Sequence, residues 1–252
     1  MSEQWGSGGG GVREWRECAE RSDVVLLDGF HALKHALRFG AEVLAVVADE
    51  PERVRELAAA LAPDVEEAVA RLVRQGALKE LLPRVHPTGV AALAVRPDRE
   101  AGRAALARTP RPAPVVLLDN PRNLGNVGAV VRLAAGFGVT GVVTRGDLDP
   151  WHPNVVRAGA GLHYATTVDR LELEELPPGP VYALDPEGED IRALVLPDDA
   201  LLAFGSERHG ISPELRARAD HLVSLPMRPQ VSSYNLATSV AMTLFHWGGP
   251  KG

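Results

Sequence analysis

Short apolar runs alternate with amphipathic segments along almost the whole chain. In the first third, these patterns predict strands at residues 24–27, 43–48 and 90–95, and helices at residues 30–39 and 51–82, the second broken near Pro63. Strands that alternate with helices are typical of α/β domains. The pattern therefore predicts a small α/β domain in this part of the chain.

A second α/β region begins at residue 115. Residues 115–118 form a continuous apolar run, as expected of a strand that is buried on both faces of a parallel sheet. Further strands are predicted at residues 141–144, 181–184, 201–204 and 222–225, with helices at residues 127–137 and 235–247. This order predicts a mostly parallel sheet with helices on both faces.

Composition between these regions suggests where the domains begin and end. Residues 1–12 contain a run of glycines and no periodic apolar signal, so they are expected to be a flexible tail. Residues 97–114 are rich in Arg, Pro and Ala, which indicates a partly helical linker. The predicted organisation is thus a tail, a first domain at residues 13–96, the linker, and a second domain at residues 115–252.

Bulk composition excludes several classes of protein. With 45% hydrophobic and 24% charged residues, the chain of 252 residues has the composition of a globular protein. No apolar run reaches the roughly 18 residues that a membrane span needs, and the N-terminus lacks a signal-peptide pattern, so a cytoplasmic location is expected. The single cysteine, Cys18, excludes an internal disulfide framework and a cysteine-based metal cluster.

Net charge leaves a nucleic-acid partner open. The formal charge of −6 counts against phosphate binding, but the 27 basic residues are mostly arginine, which suits bidentate phosphate contacts. Six of them fall within one stretch: Arg99, Arg103, Arg108, Arg111, Arg122 and Arg132.

Candidate chemistry is concentrated in three loops, each after a predicted strand, where α/β sheets usually bind ligands. The first loop, residues 119–128, is rich in Asn and Gly, and either Asn123 or Asn126 could cap the following helix. Its Gly125-x-x-Gly128 spacing does not fit the dinucleotide-binding pattern, which weakens an oxidoreductase interpretation. Arg132 lies between Val131 and Leu133 inside that helix, where it would either reach solvent or serve a function.

The second and third loops follow the strands at residues 201–204 and 222–225. Residues 204–212 read FGSERHGIS, with glycines that let backbone approach a ligand closely, and Glu207 could pair with Arg208 or cap a turn. Residues 225–237 read LPMRPQVSSYNLA, in which Ser233 or Asn235 could cap the last helix. Capping explains one or two of these residues but not the whole segment.

Together the three loops resemble the signature motifs of the SpoU (TrmH-type) RNA 2′-O-ribose methyltransferases of the SPOUT superfamily. The matching segments are NLGNVGAVVR at residues 123–132, GSERHGI at residues 205–211, and LPM at residues 225–227 with SYNLA at residues 233–237. Less specifically, DGFHAL at residues 28–33 and HPTGV at residues 86–90 resemble the family's N-terminal substrate-binding domain.

The resemblance implies a C-terminal domain with a deep trefoil knot, S-adenosylmethionine as cofactor and a structured RNA as substrate. It also implies a homodimer in which the catalytic arginine faces the cofactor pocket of the partner subunit. It implies a catalytic set of Asn126, Arg132, Glu207, Ser233 and Asn235, and a cofactor-binding set of Phe204, Gly205, Leu225, Met227 and Tyr234. Tyr234 departs from the leucine more usual at its position. The separate first domain favours ribosomal RNA over tRNA by analogy.

Within this set, Arg132 is expected to bind a phosphate and polarise the 2′-hydroxyl, because a guanidinium holds its proton too firmly to be a good base. Family precedent nevertheless makes it the base, and both roles stay open. Asn126 would hold the substrate, and Glu207 would orient Arg132 or Asn126. Ser233 and Asn235 would shape the catalytic loop.

Two further alternatives concern metals and catalysis. His31 and His35 have helical spacing, but neither the zinc-motif glutamate nor a third ligand follows, so no metal is expected. His86, His163 and His209 are interpreted as surface residues or RNA contacts. A non-catalytic RNA-binding protein of the same fold is the alternative function, and the intact catalytic set argues against it.

Overall fold

The computed structural model describes residues 9–249 and divides into two compact units. The first contains the described residues up to Pro97 together with Trp151–Ala165, and the second contains Asp98–Pro150 and the described residues from Thr166 onward. Residues 151–165 therefore belong to the first unit, although the sequence pattern assigned them to the second domain. Of the predicted flexible tail, residues 1–8 lie outside the described residues, while residues 9–12 begin a helix.

The described residues form ten α-helices and ten strands. In chain order they are α1 Gly9–Ala19, β1 Val24–Asp28, α2 Phe30–Arg38, β2 Val43–Ala48, α3 Pro51–Leu61, α4 Glu66–Leu72, β3 Val73–Gln75, α5 Leu78–Leu81, β4 Val90–Val95, α6 Arg99–Ala107, β5 Val115–Asp119, α7 Leu124–Phe137, β6 Gly141–Arg145, α8 Pro153–Ala158, β7 Thr167–Arg170, β8 Val181–Asp190, β9 Leu201–Phe204, α9 Pro213–Arg218, β10 His221–Ser224 and α10 Leu236–Trp247. None of the described helices is long and apolar enough to cross a membrane.

The first unit contains a four-stranded sheet in the order β1-β4-β2-β3. Strand β4 runs antiparallel to both β1 and β2, and β3 runs parallel to β2. The short strand β3 lies within the segment predicted to be helical, where only Val73 of its three residues is buried. Trp15, Leu78 and Leu93 pack into one apolar cluster, so α1 contributes to the core of this unit.

The second unit contains a six-stranded sheet in the order β10-β8-β9-β5-β6-β7, and every neighbouring pair is parallel. The predicted parallel α/β sheet is thus confirmed. All five residues of the interior strand β5 are buried, as its continuous apolar run indicates. Strand β7 at the sheet edge was missed by the sequence pattern because its sequence, TVDR, carries no apolar run.

A buried carboxylate joins three segments at the carboxyl edge of this sheet. Asp119 ends β5, and its side chain is fully buried. One oxygen accepts a hydrogen bond from Nη1 of Arg145 on β6 at 2.8 Å, and the other accepts from the backbone N–H of Ser212 at 2.7 Å. Ser212 in turn is the N-cap of α9, with its hydroxyl accepting from the N–H of Leu215. The ends of β5 and β6 and the start of α9 are therefore held together.

Replacing Asp119 by alanine is expected to lower the free energy of unfolding by about 3 kcal/mol, because Arg145 would keep a buried charge without its partner. Urea denaturation followed by circular dichroism measures the change. The control is Asp147→Asn, since Asp147 forms only a 3.9 Å ion pair with Arg122 and both side chains are exposed. Equal midpoints for the two variants would contradict the structural role of Asp119.

Candidate functional site

The second and third loops enclose a cavity of about 690 Å³ in the second unit. The cavity lies over the carboxyl ends of the strands β9 and β10 and beside residues 184–186 of the neighbouring strand β8. Parallel sheets commonly bind ligands at the carboxyl ends of their strands. All five residues of the predicted cofactor-binding set line it: Phe204, Gly205, Leu225, Met227 and Tyr234. Three residues of the predicted catalytic set, Glu207, Ser233 and Asn235, also line it.

The second loop is closed on itself by backbone hydrogen bonds. Ser206 and Gly210 exchange two N–H···O bonds of 3.0 Å, which hold Glu207 on a short, tight turn. Gly205 leaves no room for a side chain, because a Cβ atom there would lie 1.9 Å from the carbonyl carbon of Gly210. The glycine is thus required for the loop to fold back beside the cavity.

Side-chain amides link the three loops. Nδ2 of Asn235 donates to Oδ1 of Asn126 at 3.2 Å, and Nδ2 of Asn126 donates to Oε1 of Glu207 at 2.8 Å. Oδ1 of Asn235 accepts from the N–H groups of Ala237 and Thr238, so Asn235 caps α10 and its amide nitrogen is directed away from the helix. We call the hydrogen-bonded series Asn235–Asn126–Glu207 the amide–carboxylate chain.

Two capping alternatives are settled by these bonds. Asn123, not Asn126, caps α7, with its Oδ1 accepting from the N–H of Asn126 at 3.0 Å. At α10 the cap is Asn235 rather than Ser233. Of the alternatives for Glu207, the structure contains the contact with Asn126, and Glu207 forms no ion pair with any residue that the structure describes.

A hydrogen bond from Tyr234 stabilises the third loop. The hydroxyl of Tyr234 donates to the carbonyl of Pro226 at 3.1 Å, joining the two ends of the loop. Gln230, near the middle of the loop, has a φ of 74°, a backbone conformation that residues other than glycine rarely adopt. The departure from leucine at residue 234 therefore adds a hydrogen bond that leucine could not make.

Arg132 lies apart from the other predicted catalytic residues. It is exposed on α7 and does not line the cavity. Within residues 9–249 it forms no hydrogen bond or ion pair. Its cation is therefore solvated, which removes the cost that an unpaired charge inside an apolar helix would carry. The structure thus brings Asn126, Glu207 and Asn235 together but not Arg132.

The arginine-rich stretch is largely used within the fold. Arg99 and Arg103 both pair with Asp169, whose side chain is 12% exposed. Arg111 is buried and donates to the carbonyls of Leu106, Pro178 and Asp199, and burial lowers its pKa. Local basicity of this stretch is therefore smaller than the sequence suggests.

The histidines differ from expectation in one case. His163 is completely buried, with its ring centroid 5.0 Å from that of Trp151, so its interpretation as a surface residue or RNA contact is wrong. Nδ1 of His35 lies 2.8 Å from the carbonyl oxygen of Ala160, and burial lowers the pKa of this ring. Within residues 9–249 no group of three or more His, Cys, Asp or Glu side chains is placed to hold a metal ion.

Sequence reasoning missed part of the cavity wall. Leu184, Asp185 and Pro186 line the cavity, although none was a candidate. Leu184 ends the predicted strand at residues 181–184, and Asp185 and Pro186 directly follow it, so the rule that drew attention to the other loops could have found them. Ser232 is a further lining residue from the third loop.

Gly205→Ala is expected to lower the free energy of unfolding by about 2 kcal/mol, because the new methyl group would overlap backbone atoms that cannot move independently. Thermal unfolding followed by circular dichroism measures it. The matched control is Gly136→Ala on α7, where a Cβ atom meets nothing within 4 Å. This second change is expected to stabilise by about 0.5 kcal/mol through helix propensity. Unchanged stability of the Gly205 variant would show that the loop is not packed as described.

Comparisons with known proteins show which family the chain resembles. The model of the SpoU rRNA Methylase family matches residues 113–245. Mitochondrial rRNA methyltransferase 3 of Mus musculus is 33% identical over 167 residues, covering 64% of this chain and 39% of that protein. The 23S rRNA (guanosine(2553)-2′-O)-methyltransferase RlmP of Bacillus subtilis is 23% identical over 256 residues, covering 94% of this chain and 96% of that protein.

Among solved structures, the SpoU methyltransferase AviRb of Streptomyces viridochromogenes, in complex with AdoMet, superposes with a TM-score of 0.75 at 21% identity. The match covers 94% of this chain and 96% of that one. The likeness shows a shared fold over almost the whole length. The chain spans about two fifths of the mouse relative that it matches. Since the family model covers more than half of the residues and includes all three loops of the site, this chain belongs to the SpoU rRNA methylase family.

Proposed function

We propose that the protein transfers a methyl group from S-adenosylmethionine to a ribose 2′-hydroxyl of structured RNA, with ribosomal RNA favoured over tRNA. The observation that carries the proposal is the amide–carboxylate chain beside the 690 Å³ cavity. Such a chain offers oriented polar groups at one side of a mixed apolar and polar cavity. That is the arrangement needed to hold a weak nucleophile against a bound methyl donor.

The cavity fits the proposed cofactor. Its volume falls in the range of about 300 to 1,000 Å³ that is usual for small-ligand sites. Phe204, Leu225 and Met227 supply apolar surface for a purine, while Gly205 brings backbone groups to the cavity wall. AviRb, which shares the fold, was solved with AdoMet. When bound, S-adenosylmethionine supplies an activated methyl whose S–C bond breaks as the C–O bond to ribose forms, with loss of the hydroxyl proton.

The protein's own residues would hold the ribose and orient its 2′-hydroxyl. Oδ1 of Asn126 accepts from Asn235, and its Nδ2 donates to Glu207, so this amide cannot rotate without breaking two bonds. A fixed amide at this point would orient the 2′-hydroxyl for in-line attack. Glu207 thus acts by orienting Asn126, while Ser233 and Asn235 shape the loop that faces the substrate.

We further propose that Arg132 acts in the site of a second copy of the chain. Arg132 does not line the cavity of its own chain, and it is the single charged residue in the sequence of α7. Helix α10 carries no charged Asp, Glu, Lys or Arg, and its Phe245 is 74% exposed. Helices this apolar normally require a covering partner. The apolar residues of α7 and α10 would therefore form a homodimer interface.

The proposed substrate is ribosomal RNA. The name of RlmP specifies a 23S rRNA guanosine 2′-hydroxyl, and that relative matches over 96% of its own length, which favours ribosomal RNA here. The first unit would bind part of that RNA, with the second unit as the methyltransferase domain. The trefoil knot and the cytoplasmic location are predicted from the sequence and the family resemblance. Residues 98–114, which the sequence pattern assigned to a linker, belong to the second unit, and Leu106 is buried in its core.

Incubation of the purified protein with methyl-labelled S-adenosylmethionine and unmodified total RNA tests the reaction. Label is expected at ribose 2′-oxygens of one rRNA fraction, and mapping of alkali-resistant positions identifies the nucleotide. Bound cofactor without transfer to any unmodified RNA would favour the alternative, an RNA-binding protein without catalysis. Label on a base instead of a ribose would contradict the proposed reaction.

Arg132→Ala is expected to lower the single-turnover rate of methyl transfer by on the order of 10²-fold, as for loss of one transition-state donor. The affinity for S-adenosylhomocysteine should stay unchanged, because Arg132 does not line the cavity. Arg132→Lys should recover only part of the rate, since an ammonium group cannot reproduce the planar fork of the guanidinium. Full recovery with lysine would show that the fork geometry is irrelevant.

Mixing Arg132→Ala with Asn235→Ala tests whether Arg132 serves a second copy. Each variant alone should be nearly inactive, while a mixed dimer would contain one site with both groups intact. After subunit exchange at equal concentrations, about a quarter of wild-type activity is expected. No recovery in a mixture that forms mixed dimers would place Arg132 in the site of its own chain.

A further inference from the structure

The wall of the cavity that sequence reasoning missed is built by an unusually large bulge in β8. Leu222 and Val223 are consecutive on β10, but their partners on β8 are Ala183 and Glu189. The five residues 184–188 therefore lie outside the ladder while the strands pair on either side of them. Bulges of this kind redirect side chains and are frequent beside functional sites. Here Leu184, Asp185 and Pro186 are directed to the cavity wall.

Two features hold the bulge in place. A Cβ atom on Gly188 would lie 2.3 Å from the carbonyl carbon of Leu222 and from the nitrogen of Val223, so only glycine allows this backbone to rejoin β10. On the other side, Arg216 of α9 donates from Nη1 to Asp185 and from Nη2 to Glu187 at 2.9 Å. The guanidinium thus fixes the bulge to α9.

Asp185 is the bulge residue whose side chain could accept a hydrogen bond from a ligand in the cavity. Its side chain is 14% exposed, and it lines the cavity. Oδ1 accepts from the N–H of Glu187 at 2.9 Å, and Oδ2 accepts from Arg216. A carboxylate oxygen can accept more than one hydrogen bond. Asp185 therefore keeps acceptor capacity while its charge is compensated by Arg216 and its position is fixed.

We propose that Asp185 accepts a hydrogen bond from the ribose diol of the cofactor's adenosine, and that Arg216 is the positioning residue for this contact. The inference rests on the proposed function of the cavity. A compensated carboxylate attracts a cation weakly, which disfavours the sulfonium and ammonium groups of the ligand as its partners. Neutral hydroxyl donors remain, and a buried carboxylate discriminates strongly against an analogue that lacks them.

Isothermal titration calorimetry with S-adenosylhomocysteine and its 2′-deoxy and 3′-deoxy analogues tests the contact. The wild-type protein should bind the ribose form at least about tenfold more tightly than one of the analogues, as for a hydrogen bond to a charged group. In Asp185→Asn and Asp185→Glu this ratio should fall to about twofold or less. Asp185→Glu keeps the charge but moves the carboxylate by one methylene, so it separates position from charge. Circular dichroism verifies that each variant is folded.

The control is Glu189→Gln, which changes an exposed carboxylate on the same strand that does not line the cavity. It should keep the wild-type ratio. If the Asp185 variants bind the ribose and deoxy compounds more weakly by the same factor, the role of Asp185 is merely structural, and the inference is overturned. A wild-type protein that binds all three compounds equally would overturn it while leaving the proposed function intact. Failure of the wild-type protein to bind any of them would overturn both.

Discussion

The buried carboxylate of Asp119 is the interaction on which the geometry of the site depends. It accepts hydrogen bonds from Arg145 on the neighbouring strand and from the backbone N–H of Ser212, the N-cap of α9. Helix α9 carries Arg216, and Arg216 holds the bulge that forms one wall of the cavity. A single buried acceptor at the end of β5 is thus connected through α9 to a cavity wall on β8. Because removing one partner of a buried ion pair is strongly destabilising, this connection depends on Asp119 being present.

The apolar runs identified eight of the ten described strands and missed two edge strands that have no such run. Residues 115–118 and 201–204 were predicted because a strand inside a parallel sheet must be apolar on both faces. Strands β3 and β7 end their sheets and carry the polar sequences VRQ and TVDR, so no apolar run marks them. Glycines at residues 9–11 suggested a tail, yet α1 forms because Trp15 is buried against the first unit's core. Tertiary packing overrides weak helix propensity there.

The sequence located the loops that enclose the cavity, but not the pairing register that brings residues 184–186 to its wall. Glu207, Asn235 and the predicted cofactor-binding set were assigned from the family resemblance, and the structure places all of them at the cavity. Asp185 directly follows a predicted strand and was open to the same rule, but the sequence does not show that β8 leaves the ladder with β10 there for five residues. Arg132 does not line the cavity of its own chain, which agrees with the expectation from the family resemblance that this arginine faces the pocket of a partner subunit. Local patterns specify elements, whereas contacts between loops emerge only from the fold.

The two cavity carboxylates differ in a way that would orient an asymmetric ligand. Asp185 is paired with Arg216, whereas Glu207 has no ion pair within residues 9–249 and is hydrogen-bonded by the neutral amide of Asn126. A cationic group is therefore drawn towards Glu207, and a neutral hydroxyl is accommodated at Asp185. A nucleoside that bears a sulfonium group carries both features at opposite ends of its ribose. With the sulfonium near Glu207, the activated methyl lies towards the amide–carboxylate chain. In the reverse orientation the hydroxyls would face Glu207, and the sulfonium would face Asp185 and its partner Arg216, which is unfavourable.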